Sequence, residues 1–172
     1  SEKNNPPSTL VDMPLATAPL WSSPFRPFFL LGALYGPLLL ISWILPYTGL
    51  LAATASSGGP LPLLYHQHEL VFGFGTVIII GFVMTALPSW AGTLEITGTP
   101  LALLVSSWVL GRLAVGLASQ LPVPLVGFLD LCFPLLFVAL TAPGMRRVTL
   151  AYKLGLTVIV AGFFFGNLWY YL

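Results

Sequence analysis

The chain has 172 residues, 57% of them hydrophobic and only 6% charged, where an ordinary soluble domain carries about 25% charged residues. Six basic and five acidic side chains cannot wet the surface of a folded protein this size, so lipid must be the solvent for most of it and a soluble domain is excluded. The net charge of +1 offers no basic face for nucleic acid.

Residues 1–24 read as a Pro-rich arm, cytoplasmic or interfacial, with a short interfacial piece from Leu15 to Trp21. No basic start leads directly into an apolar core, so the arm is not a signal peptide. Its N-terminal Ser suits a chain trimmed of its initiator Met in the cytoplasm.

The rest, 25–172, reads as an all-α polytopic bundle. A spanning helix needs roughly 20 mostly apolar residues, and five stretches qualify: about 27–45, 68–88, 100–119, 124–141 and 148–171. Pro37 should kink the first, since it removes a backbone donor and crowds the preceding turn. Ser56-Ser57-Gly58-Gly59-Pro60 breaks the first connection. Pro88, Gly92, Gly98 and Pro100 bracket the second. Pro122 and Pro124 shorten the third, which predicts an antiparallel hairpin of helices three and four. Pro143-Gly144 opens the fourth.

Orientation follows the basic residues of short loops. Arg26 precedes the first helix, and Arg146, Arg147 and Lys153 surround the start of the fifth. Five spans put both places on one side, so the N-terminus is expected in the cytoplasm. Trp169, Tyr170 and Tyr171 are expected at the opposite interface, where aromatic rings favour the headgroup level. Trp21 and Trp90 read as further interface anchors, and Glu95 as a solvated loop residue. An odd number of spans, with no internal repeat, is what half of a larger protein or one subunit of an assembly would show.

The two histidines sit together in Tyr65-His66-Gln67-His68-Glu69, opening the second helix on the non-cytoplasmic side. Imidazole is the commonest metal and haem ligand, and ionisable groups at membrane depth are functional candidates. Positions i and i+2 of a helix point about 200° apart. His66 and His68 could therefore grip one ion only in an extended segment; in a helix they would serve different groups. Glu69, at i+3 from His66, could orient it through a ring N–H or join the metal site. The plainer alternative is a pair of interfacial polar residues capping a helix. Gly73 and Gly81 lie near the His66–Glu69 face and Gly75 nearer the His68 face. Such positions allow close helix packing or, alternatively, room for a flat cofactor.

Arg112 and Asp130 both fall roughly 9–11 Å below the histidine-side membrane face, at 1.5 Å per residue. A buried lone charge is costly, so a structural ion pair is expected. The alternative assigns Arg112 to an anionic group such as a haem propionate. Asn167, late in the fifth helix, points to hydrogen bonding between helices. Cys132 is alone, cannot form an internal disulfide, and reads as packing or lipid-facing. No phosphate-binding glycine loop, Ser/His/Asp or Cys/His arrangement or carboxylate pair occurs, so hydrolysis and phosphoryl transfer find no support.

Four stretches taken together resemble one family. They are Phe25-Arg26-Pro27-Phe28-Phe29-Leu30; His66-Gln67-His68-Glu69 running on to Gly73-Phe74; Gly81-Phe82-Val83-Met84-Thr85-Ala86-Leu87-Pro88-Ser89-Trp90-Ala91-Gly92; and Gly111-Arg112-Leu113-Ala114 followed by Asp130-Leu131. The chain resembles the N-terminal half of the NnrS family, bacterial membrane proteins with haem and copper that are associated with the nitric oxide response. Ala91 stands where that family usually has Thr, and the family's further spans and histidines lie beyond the resemblance. The resemblance implies haem and possibly copper near His66 and His68, a bacterial inner membrane, and a role in nitric oxide or redox stress. It does not imply an enzymatic activity. A second reading is a cofactor-free accessory subunit of a larger membrane redox complex, partnered by other membrane subunits. A third is a small transporter, against which stands the lack of a visible inverted repeat.

Overall fold

The computed structural model describes residues 18–48 and 62–172. The expected arm at 1–17 and the Ser56–Pro60 break lie outside the described residues. Within them the chain is all-helical, with five helices long and apolar enough to cross a membrane: α1 (Phe25–Ile44), α2 (Leu63–Ala91), α3 (Thr99–Gly116), α4 (Val123–Met145) and α5 (Leu150–Tyr170). Lipid-facing surface is plain in the outward side chains. Leu34, Phe82, Phe128 and Phe165 are all more than half exposed, an arrangement that water would penalise and hydrocarbon does not.

The helix ends follow local chemistry. Pro sits in the first turn of α3 and α4, where its missing N–H has no helical partner to lose. Gly92 ends α2 in the left-handed conformation at φ 62°, the usual helix-ending role of glycine. Gly98 opens α3 at φ 66° and donates its N–H to Trp21 O at 2.9 Å, tying the segment before α1 to the α2–α3 loop. Helix α1 runs without a break through Pro37.

The second helix departs from expectation. It begins at Leu63 rather than near His68, so both histidines are helical. Pro62 starts the turn, and Leu63, Leu64 and Tyr65 extend the apolar run upstream of the charged motif. A span of 29 residues measures about 43 Å at 1.5 Å per residue, longer than the ~30 Å hydrocarbon layer, so it tilts or projects past it. Its stretch Glu69–Gly75 is π-helical, a widened winding that often occurs at functional sites.

Helices α3 and α4 form the most extensive pair in the described structure, the antiparallel hairpin expected from the short Pro-flanked connection. Helix α2 packs on both α1 and α4, and α5 packs on α4. The core runs through Phe28, Val77, Met84, Leu101, Leu104, Trp108, Phe133 and Phe137, all buried. Glycine sets the α1–α2 approach: a Cβ on Gly81 would lie 2.6 Å from Phe28 Cβ. Small residues let backbones meet this way in lipid, where packing rather than water expulsion drives association.

Candidate functional site

At the end of the bundle opposite Arg26, Arg146, Arg147 and Lys153, five helices contribute polar side chains to one buried cluster. Glu69, in the π-helical turn of α2, is fully buried. Its Oε1 accepts from Arg112 NH1 of α3 at 2.7 Å and faces His68 Nδ1 at 3.0 Å. Its Oε2 accepts from the Tyr35 hydroxyl of α1.

Arg112 spans the site like a fork. Its NH2 donates to Asp130 Oδ1 of α4, its guanidinium lies 5.9 Å from the centre of the Trp108 ring, and its Nε has no partner among the described residues. Asp130 Oδ2 accepts from Asn167 Nδ2 at 3.0 Å and from the Tyr171 hydroxyl at 2.7 Å. Because the Asn167 amide nitrogen points at a carboxylate, its oxygen faces His68 Nε2, at 2.9 Å. Asp130 Oδ2 lies 3.3 Å from the same nitrogen.

His68 therefore has an oxygen opposite each ring nitrogen. Arg112 sits between the two carboxylates, and each of the three is hydrogen-bonded, the arrangement that makes burial of charge in lipid tolerable. Tyr170, Phe72 and Tyr171 close around the ring, with centroids 4.1, 5.3 and 5.8 Å away.

Backbone and glycine complete the site. The indole Nε1 of Trp108 donates to Gly73 O at 3.1 Å, inside the π-helical stretch. A Cβ on Gly73 would fall 2.9 Å from both Arg112 NH1 and Glu69 Oε2, and 3.0 Å from Tyr35. Gly111 lets α3 approach α4 closely, since its Cβ would lie 3.2 Å from Asp130 Cα. At Gly73 and Gly81 the space is filled by protein atoms, so these glycines serve packing.

His66 stands apart. Its half-buried ring stacks on Trp43 of α1, with centroids 4.6 Å apart at 16°, and its buried Nδ1 has no partner among the described residues. Glu69 orients His68 and not His66, a correction to the i+3 reading. The wider winding from Glu69 onward, together with the pull of Arg112 and Tyr35, turns the carboxylate to its neighbour. As helical positions two apart, the histidines serve different groups. Among the described residues, no three His, Cys, Asp or Glu side chains are arranged to hold a metal ion.

Of the residues singled out from sequence, the structure brings His68, Glu69, Arg112, Asp130 and Asn167 together and leaves His66 outside. Tyr35, Trp108, Tyr171 and Trp43 went unassigned to the site. Trp108 was findable, being four residues before Arg112 and so on its face; nothing in the local pattern marks Tyr35.

No curated protein and no solved structure matches the chain. A family model described as NnrS protein matches residues 19–172, nearly the whole chain and every helix that builds the cluster. This multi-pass membrane protein belongs to the NnrS family.

Proposed function

We propose that the protein holds a haem or copper centre beside His66 and serves the response to nitric oxide or redox stress. The observation that carries the reading is the contrast between the two imidazoles. Both nitrogens of His68 are engaged by Glu69 and Asn167, whereas His66 keeps a buried Nδ1 with no partner among the described residues. Thus His66 fits a ligand role, and the paired grip of His66, His68 and Glu69 on one ion does not fit. Arg112 is likewise committed to Glu69 and Asp130 through NH1 and NH2, and Nε is its nitrogen without a partner among the described residues.

A haem iron or copper at His66 would supply electron transfer or binding of a diatomic gas. The chain's own part is to fix the imidazole: Trp43 holds the ring plane, and the cluster anchors the next helical turn. The basic residues at the other end of the bundle support a histidine end on the non-cytoplasmic side of a bacterial inner membrane.

The test is the optical spectrum and metal content of protein purified intact from membranes. A Soret band or stoichiometric copper is expected, lost in His66→Ala and kept in His66-intact variants that still fold. Wild-type protein free of both, or a His66→Ala variant with unchanged metal, overturns the reading. In that case the accessory-subunit reading takes over, favoured by how completely the cluster satisfies itself. It predicts co-purification with larger subunits and indifference of metal content to either histidine.

A further inference from the structure

In the half of the bundle away from the histidines, α4 and α5 leave a groove between them. A short turn joins them at Arg146–Thr149, and at the far end Asn167 and Tyr171 pin α5 to Asp130. Between these two fastenings the helices splay, and a groove of about 500 Å³ opens between α2, α4 and α5. Its walls include Val83, Phe137, Val138, Leu156, Val160 and Ala161. This volume falls in the range of small-molecule sites, roughly 300–1,000 Å³. Helix α5 covers little of itself elsewhere, with 11% of its apolar stretch buried.

The walls are apolar, but the mouth is not. Arg146 and Lys153 both line it, no acidic side chain does, and the exposed Arg147 follows directly. The wall hydroxyl of Thr141 donates back to Phe137 O of its own helix at 2.7 Å. A long apolar slot with two cations at one end complements a molecule with a hydrocarbon chain and an anionic head. Snorkelling alone explains basic residues at helix ends. It does not explain why both reach the mouth of the same slot. Basic pockets between membrane helices bind anionic headgroups.

We propose that this groove is a binding site for an anionic phospholipid, one acyl chain lying along α5 and the phosphate between Arg146 and Lys153. The lipid would fill the splay and brace α5, on which the Asn167–His68 contact depends. The proposal is independent of any metal at His66.

Native mass spectrometry of the protein in detergent micelles, titrated with phosphatidylglycerol or phosphatidylcholine, tests it. Phosphatidylglycerol should be retained at one copy and bind more tightly than phosphatidylcholine. The double variant Arg146→Gln, Lys153→Gln should weaken it about thirty-fold, from two lost cation contacts, with a smaller loss for phosphatidylcholine, whose choline cation offsets its phosphate. Ala161→Trp, which fills the slot and keeps both cations, should abolish the single retained copy. Equal binding of the two lipids, an unaffected double variant, or an unaffected Ala161→Trp protein overturns the proposal. So does a dimer cross-linked through Thr157→Cys, which would mean that a second copy covers the groove.

Discussion

Arg112 of α3 donates from NH1 to Glu69 Oε1 of α2 at 2.7 Å, and its other terminal nitrogen reaches Asp130 of α4. One guanidinium thereby ties three membrane helices, and the two carboxylates it neutralises are each braced by a further helix. Glu69 takes the Tyr35 hydroxyl of α1, and Asp130 takes Asn167 of α5.

Removing that fork should be costly. Arg112→Met leaves two buried carboxylates without the guanidinium they share, and breaking a buried pair from one side costs about 3–5 kcal/mol. A thermal or denaturant melt in detergent should register a loss of that size. Arg112→Lys should rescue it only in part, because an ammonium on a flexible stem cannot bridge Glu69 and Asp130 as a planar fork does. Full rescue by Lys would refute the bridging role.

Gly73 should tolerate no side chain. Its Cβ would meet Arg112, Glu69 and Tyr35 within about 3 Å, and crowding a packed site costs about 1–3 kcal/mol. Gly73→Ala should lower the melting temperature, while Gly162→Ala on α5, which meets nothing within 4 Å, should be neutral or slightly stabilising. Equal effects of the two would dissolve the argument that the cluster is tightly packed.

Asn167 and Asp130 should be energetically coupled. Asn167→Ala strips an acceptor from His68 Nε2 and a donor from Asp130 Oδ2, at about 1–3 kcal/mol for groups left buried without partners. In a double-mutant cycle with Asp130→Asn, an interaction energy of about 0.5–3 kcal/mol is expected. Simple additivity would mean that α5 does not depend on this contact.

Trp43→Ala should act through His66. The indole holds the imidazole plane by stacking, and groups that orient a ligand are worth about tenfold or more in metal affinity. Copper affinity or haem occupancy should fall by about tenfold, with the melting temperature shifted far less than in Arg112→Met. Unchanged affinity would mean that His66 is not the ligand.

The membrane bundle was readable from the chain because hydropathy and Pro/Gly punctuation are local signals. Five apolar stretches, each near 20 residues, leave few alternatives in lipid. The common depth of Arg112 and Asp130 was also readable, since a short connection fixes an antiparallel hairpin and rise per residue does the rest. A polar motif such as His66–Glu69 reads locally as a helix end, so the pattern alone starts α2 too late. The helix runs through it, since His68 and Glu69 find partners inside the bundle.

Sequence alone determined that the described residues hold five helices long and apolar enough to span a membrane, which end bears the basic residues, and that the few polar groups within these helices gather at the other end. Only the tertiary structure decided that Glu69 serves His68, that His66 turns to Trp43, and that α5 splays from α4 into a groove with a basic mouth. Periodicity reports which face of a helix a residue occupies. The partner on that face comes from helices distant in the chain, through packing contacts that local spacing does not encode.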